Sequence, residues 1–166
     1  MTVYTRVGSP LGEILLVGEE RPDGSAALAS LSLPEQKGGA TVQDGWRQTP
    51  GAFALIARQL DAYFAGCLTR FDVPYAAAAG TEFQRRVWRA LDGIPYGTTV
   101  TYGEIAARVG SRGAGVRAVG TAIGRNPLLV VRPCHRVIGA DGSLRGYAAG
   151  SERKELLLGL EGALVR

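Results

Sequence analysis

The chain has 166 residues, 19 basic against 15 acidic, a net charge of +4 and 46% apolar residues. That composition excludes wholesale disorder and suits one compact domain or two small lobes sharing a chain. No apolar run approaches the ~20 residues that span a bilayer and the N-terminus lacks a basic-then-apolar leader, so a cytoplasmic protein without a membrane partner is expected.

The first 45 residues read as β. Residues 3–7 alternate, Ser9-Pro10-Leu11-Gly12 is a turn, and 13–17 return. A third strand is predicted over 26–33, and the polar, glycine-bearing residues 34–48 are expected to form a mobile loop. Phe53, Ile56, Ala57, Leu60 and Phe64 fall at helical spacing, with Gly66 at the C-cap. Residues 67–80 connect this lobe (1–80) to a second (81–166).

From residue 81 the pattern is mainly helical. Thr81 with Gln84 makes a capping box, Phe83, Val87, Ala90 and Leu91 give one apolar stripe, and Pro95 stops the helix. Thr101 with Glu104 makes a second box, opening a short helix that ends at Gly110. A glycine-rich turn leads to a further helix ending near Gly124. Its inner face is Val116, Val119, Gly120 and Ile123, and its outer ridge is Arg117, Thr121 and Arg125. Two short helices joined by such a turn, the second with a basic ridge, form a helix-turn-helix pattern. Gly115, Gly120 and Gly124 weaken that helix by about 1 kcal/mol each relative to Ala, yet allow another backbone, such as that of DNA, to approach closely.

Charge follows the same division. Residues 1–80 carry six basic and eight acidic groups; residues 81–166 carry thirteen and seven. Seventeen of the nineteen cations are Arg, whose planar fork suits phosphate and whose face stacks on bases. A solvated basic surface would have the same composition, so charge alone does not choose between that and nucleic acid.

Residues 128–131 read as a short buried strand between Asn126-Pro127 and Pro133. Directly after it come Cys134 and His135, the only histidine, flanked by Arg132 and Arg136. This electropositive setting is expected to favour the thiolate. Neighbours in extended chain point to opposite faces, so Cys134 and His135 need a local turn or a bridging water to exchange a proton. Two cysteines and one histidine make neither a disulfide framework nor a zinc site, so no metal or cofactor is expected. Cys67 has no chemical neighbours and reads as an incidental thiol.

Pro133-Cys134-His135-Arg136-Val137-Ile138-Gly139, with Asn126-Pro127 and Arg117-Ala118-Val119-Gly120 upstream, resembles the signature of O6-alkylguanine-DNA alkyltransferases. The likeness runs from about Phe83 to Gly162 and is looser in the N-terminal lobe. It implies an α+β fold: a small antiparallel, ribonuclease-H-like β lobe with a helix, and a helical helix-turn-helix domain bearing the reactive Cys. It implies stoichiometric transfer of an alkyl group from O6-alkylguanine, and from O4-alkylthymine, in double-stranded DNA to Cys134. By the same resemblance His135 would take the thiol proton through a water, Glu161 would orient His135, and Asn126 would brace the site. Tyr102 would donate towards guanine N3, Arg117 would fill the stack vacated by the flipped base, and Thr121 and Arg125 would sit on the DNA-facing helix in the minor groove. Tyr147, the Val137 carbonyl and the Ala148 N–H would line the base pocket. A monomer is expected, with cooperative binding along DNA left open.

Two departures stand out. The turn between the paired helices is one residue longer than usual, around Ser111-Arg112-Gly113. Ala148-Ala149 replaces a small hydroxyl residue and a glycine, so Ala149 is expected to narrow the pocket against bulky groups. Taken without the resemblance, Glu161 reads as a surface acid at a helix end. Two alternatives remain open on the residues alone: a non-catalytic helix-turn-helix binding protein with a structural Cys134, and a Cys-His-Glu hydrolase that turns over.

Overall fold

Alternating apolar and polar residues put β1 (Thr2–Val7) and β2 (Ile14–Glu20) into an antiparallel hairpin, in register from Thr2–Glu19 to Val7–Ile14. The Ser9–Gly12 turn closes it with the Gly12 N–H bonded to the Ser9 carbonyl at 3.0 Å and a positive φ at Gly12. β3 (Ala26–Ser32) pairs antiparallel with β2 and shifts register between Val17 and Gly18. A Cβ on Gly18 would lie 2.6 Å from the Ala27 carbonyl oxygen, so the strands can approach there only at glycine. The loop expected over 34–48 ends in a two-residue strand, β4 (Arg47–Gln48), parallel to β1, which gives the order β3-β2-β1-β4. Two residues carry no readable period, which is why the sequence concealed it.

A 3₁₀ turn (Pro50–Phe53) runs into α1 (Ala54–Phe64), whose buried residues are Ile56, Leu60 and Tyr63. Phe64, predicted on the inner stripe, is only half-buried. Tyr63 takes the place, with its ring 5.3 Å from Phe71. The structure, a computed structural model, describes residues 1–77, 79–111 and 115–164. Within it Met1–Ala78 and Ala79–Arg166 are two separate compact units.

In the second unit Thr81 caps α2 (Glu82–Asp92) through both arms of the reciprocal box with Gln84, each at 3.0 Å. Val87, Trp88 and Leu91 are its buried residues, and the Trp88 indole donates to the Ala122 carbonyl at 2.8 Å. Thr101 caps α3 (Tyr102–Arg108) by accepting from the Glu104 N–H at 3.1 Å; among the described residues only this half of the expected box forms. α4 (Gly115–Gly124) buries Val119, Ala122 and Ile123 and exposes Arg117 and Thr121. The longer turn expected here falls on residues 112–114, outside the described residues. Short parallel strands β5 (Val100–Thr101) and β6 (Val137–Ile138), and the helix α5 (Ser151–Leu160), complete the unit. Neither strand was read from the sequence, and the helix was read only at its end, at Glu161.

One expectation fails in this unit. Residues 128–131 form a turn, not a strand: the Arg132 N–H bonds to the Leu128 carbonyl at 2.9 Å, and Val130 has a φ of 69°. The cause is Asn126, buried at the helix exit. Its carbonyl accepts from the Leu128 N–H at 3.0 Å and its amide donates to the carbonyls of Leu128 and Arg132 at 3.4 and 3.3 Å. These bonds supply locally what a strand partner would supply. Of the glycines in α4, Gly115 is required by packing, since a Cβ there would collide with Ser111; a Cβ on Gly120 would meet the Tyr102 ring at an ordinary 3.8 Å, and Gly124 faces open space.

Candidate active site

A single 3₁₀ turn (Cys134–Arg136) follows the Asn126-braced loop and supplies the local bend the adjacent Cys134 and His135 require. Both residues are buried, His135 completely. The His135 Nε2 lies 2.7 Å from Glu161 Oε2. Arg136 donates to the same carboxylate from Nε at 2.7 Å and from Nη2 at 3.1 Å, and to the Ile94 carbonyl from Nη1 at 2.6 Å. Glu161, the C-cap of α5, is 4% exposed. The surface-acid reading of Glu161 is thereby excluded: a carboxylate at the negative end of a helix dipole is held there by a bidentate guanidinium.

This arrangement fixes the histidine's chemistry. Burial lowers the His135 pKa below its ordinary value, outweighing the pull of Glu161 in the other direction. The ring is therefore neutral at pH 7. A carboxylate only accepts, so Nε2 carries the hydrogen and Nδ1 holds the basic lone pair. Nδ1 is buried and has no hydrogen-bond partner among the described residues.

The thiol corrects one expectation. Burial pushes Cys134 up to about 11, against the opposing effects of the Asn126 side chain and the positive charges of Lys154 and Arg132. Arg136 is spent on Glu161, and Arg132 turns to Asp92 at 3.2 Å and over the Trp88 ring. The flanking arginines thus build the walls of the site, and desolvation dominates the sulfur. Cys134 is a thiol at neutral pH and needs a base to become a nucleophile.

Around this centre the other predicted residues divide. Tyr102 is half-buried, its hydroxyl donating to the Arg145 carbonyl at 3.3 Å; burial raises its pKa. A Cβ on Gly146 would lie 2.8 Å from that hydroxyl, and Gly146 has a φ of 93°, so the 145–146 turn closes over Tyr102 only with glycine. Tyr147 is buried, Ala148 half-buried, and Val137 opens β6 directly after the reactive turn. Arg117, Thr121 and Arg125 are exposed at α4 and its end, and the Thr121 hydroxyl donates back to the Arg117 carbonyl at 3.1 Å. No described hydrogen bond or ion pair ties these three to the Cys134 group. Cys67 is exposed, in the other unit.

Two participants were missed. Arg136, noted only as a positive neighbour, is the clamp on Glu161. Lys154 is fully buried, 5.8 Å over the Tyr102 ring. The spacing of Arg136 from Cys134 gave no sign of a partner 25 residues on, and the charged neighbours of Lys154, Glu152-Arg153 and Glu155, gave no sign that it is buried. Among the described residues no group of three or more His, Cys, Asp and Glu is gathered to hold a metal, and no helix is long and apolar enough to cross a membrane.

A buried thiol beside a carboxylate-oriented histidine, in a unit that also carries paired short helices with a basic ridge, defines a helical DNA-binding-type domain built around one buried cysteine. The family models agree in both units: residues 82–163 match the DNA binding domain of 6-O-methylguanine DNA methyltransferase, and residues 2–77 match its ribonuclease-like domain. A methylated-DNA–protein-cysteine methyltransferase of Mycolicibacterium paratuberculosis is 50% identical over 161 residues, 97% of this chain and 93% of its own. One from Methanosarcina acetivorans is 49% identical over 160 residues, 96% and 98% of the two chains. The crystal structure of Mycobacterium tuberculosis OGT in complex with DNA superposes with a TM-score of 0.86 at 48% identity, covering 97% of this chain and 93% of that one. The chain belongs to the 6-O-methylguanine DNA methyltransferase family, and it is a methylated-DNA–protein-cysteine methyltransferase.

Proposed function

We propose that the protein repairs double-stranded DNA by moving the alkyl group of O6-alkylguanine, and of O4-alkylthymine, onto Cys134, once per molecule. The observation that carries this reading is the buried His135–Glu161 pair at 2.7 Å on the turn that holds the thiol. His135 Nδ1 takes the Cys134 proton through a water, and Glu161 stabilises the imidazolium. Sulfur then bonds to the alkyl carbon as the carbon–O6 bond breaks, its electron pair passing to the base. Tyr102, kept protonated by burial, donates at guanine N3 and neutralises the leaving base. In net terms the thiol's proton ends on guanine and the sulfur becomes a thioether. A thioether, unlike a disulfide, is not opened by ordinary thiol exchange, so the sulfur stays occupied.

An O6-alkyl group lies inside the duplex, so the nucleotide must be extruded, at a few kcal/mol for a damaged base. Arg117, exposed in the first turn of α4, fills the gap; stacking on a base is worth about 1–3 kcal/mol. Thr121 and Arg125 contact the backbone as α4 lies in the minor groove. Tyr147, the Val137 carbonyl and the Ala148 N–H hold the extruded base, and Asn126 keeps the turn rigid. The unit of residues 81–166 carries both DNA binding and chemistry, and the protein acts as a monomer.

The test is incubation with duplex DNA bearing radiolabelled O6-methylguanine. Label fixed on the protein, limited to one per chain and absent from Cys134→Ser, is the expected result. Repeated turnover would make it a hydrolase, and binding without transfer a non-catalytic reader; either overturns the reading.

A further inference from the structure

An arginine stands directly behind the apolar run Leu128-Leu129-Val130-Val131, and its side chain is only 14% exposed. A guanidinium so nearly dry is costly unless its donors are met, and Arg132 is held from three directions. Nε donates to Asp92 Oδ1 at 3.2 Å, Nη1 donates to Asn126 Oδ1 at 3.4 Å, and the guanidinium carbon lies 5.5 Å over the Trp88 ring. Asp92 ends α2, the unfavourable end of a helix for a carboxylate; burial raises its pKa and Arg132 pulls it down. The backbone of Arg132 closes the ring of contacts. Its carbonyl accepts from Asn126 Nδ2 at 3.3 Å and from the Cys134 N–H at 2.7 Å. One residue thus grips both ends of the Asn126 amide and also holds the backbone of the reactive cysteine. Oδ1 accepts a further bond, from the Leu128 N–H at 3.0 Å, so a flipped amide would set its NH₂ against an N–H and a guanidinium. Asn126 follows α4, its N–H bonded to the Ile123 carbonyl at 3.1 Å, and the Trp88 indole donates to Ala122 of the same helix at 2.8 Å.

We propose that Arg132 is a positioning residue for the thiol: anchored on Asp92, its fork fixes the amide of Asn126 and with it the bend that joins the end of α4 to Cys134. The attachments need a planar group with several donors; the single Nζ of a lysine cannot meet Asp92 and Asn126 together. The Asn126 side chain also lowers the Cys134 pKa against the effect of burial, so an amide free to turn leaves the sulfur harder to ionise. The consequence for repair rests on the transfer proposed above; the state of the amide and of the thiol does not.

Asn126 is the only asparagine of the chain, so asparagine-labelled protein gives one side-chain asparagine amide by NMR. In the full chain carrying Cys67→Ser, to silence the exposed thiol, Arg132→Lys and Arg132→Met should each exchange the Nδ2 hydrogens with solvent about three- to tenfold faster than the parent, the worth of one hydrogen bond. Parent-like exchange in Arg132→Lys would mean that charge alone suffices, and overturns the proposal. Asp92→Ala, at a half-exposed side chain, provides a variant that leaves the interior intact; it should speed the exchange in the same sense, and unchanged exchange there overturns the proposal too. The second readout is the pH midpoint of Cys134 alkylation by iodoacetamide, taken as a double-substitution cycle. The charged and titratable groups facing the sulfur are Lys154 from α5, Tyr102 from α3, the neighbouring His135, and Arg132 itself; Arg132→Lys retains all of these charges. That substitution should raise the midpoint by about half a pH unit, a ~threefold slower reaction at pH 8, and should leave it unmoved in an Asn126→Ala background. Equal shifts in both backgrounds, or a lowered melting temperature with amide and midpoint unchanged, would overturn the proposal. Transfer from O6-methylguanine DNA is measured alongside; its failure in the parent would refute the proposed function, while the amide and the thiol still decide the role of Arg132.

Discussion

Replacing Glu161 by Gln changes no volume and deletes one charge, so its effects on stability and on chemistry can be separated. The carboxylate accepts three hydrogen bonds, from His135 Nε2 at 2.7 Å and from Arg136 at 2.7 and 3.1 Å. Arg136 is 7% exposed and would be left as a buried cation without a counter-charge, held by the Ile94 carbonyl and one amide oxygen. Breaking one side of such a pair costs about 3–5 kcal/mol, a large part of a total stability on the order of 5–15 kcal/mol. At about 2–4 °C per kcal/mol for a chain of this size, the melting temperature should fall by roughly 6–20 °C. The chemical loss has another origin. A glutamine can donate to Nε2 as well as accept from it, so the hydrogen can move to Nδ1 and the base disappears. Positioned general bases are worth about 10²–10⁴-fold, so single-turnover transfer should slow by at least ~100-fold, measured below the variant's melting transition with labelled O6-methylguanine duplex. A folded Glu161→Gln protein transferring within threefold of the parent rate would refute the assignment of Nδ1 as the base.

Four further outcomes follow from the same geometry. Arg117→Ala should weaken lesion binding and slow transfer from duplex DNA, while iodoacetamide alkylation of Cys134 stays unchanged; an unaltered duplex rate would remove its stacking role. Asn126→Ala leaves the Leu128 N–H and the Arg132 carbonyl without their partner, and should cost about 1–3 kcal/mol in urea unfolding as well as slowing transfer. Because burial lowers His135, its neutral form persists to more acidic pH than in the unfolded chain; transfer should be flat through neutrality and fall only below about 6.5, the ordinary histidine value. Stability should fall over the same acid window, since there the unfolded state binds more protons than the folded one. Ala149→Gly should speed reaction with O6-benzylguanine more than with O6-methylguanine, read from the two rate constants; equal effects on both would show that Ala149 does not gate the pocket.

Elements with a local signature were legible in the sequence, and the site was legible only in part. The hairpin alternation, the Thr81–Gln84 box and the spacing of α1 are each dictated within a few residues, and the chain adopts them with one change, Tyr63 in place of Phe64 on the inner face of α1. The two-residue strands β4, β5 and β6 have no period to read, because they exist only where a distant partner offers hydrogen bonds. The apolar run at 128–131 mimicked a strand because the deciding group was one buried amide at Asn126, whose effect depends on geometry rather than hydropathy. In the site, Cys134 and His135 announced themselves by adjacency. Their partner Glu161 lies 26 residues from His135 and was found by resemblance alone; Arg136 and Lys154 were hidden among ordinary surface-type charges.

The buried position of Cys134 gives the reagent selectivity. Desolvation keeps the sulfur protonated at neutral pH, and a thiol reacts far less readily than a thiolate with oxidants and small electrophiles. If the sulfur is used once, as proposed, such protection matters, since every stray reaction destroys a molecule. The same dryness strengthens each charge interaction within the site, and in the proposed mechanism the proton leaves only when His135, Glu161 and an aligned alkyl carbon act together. The exposed Cys67 supplies the internal comparison. With hydrogen peroxide or iodoacetamide at pH 7.5 and no DNA present, Cys67 should be modified first and Cys134 about tenfold or more slowly, as peptide mass spectrometry would read. If Cys134 is modified as fast as Cys67, burial is not what guards it, and the sulfur must already be ionised in the resting protein.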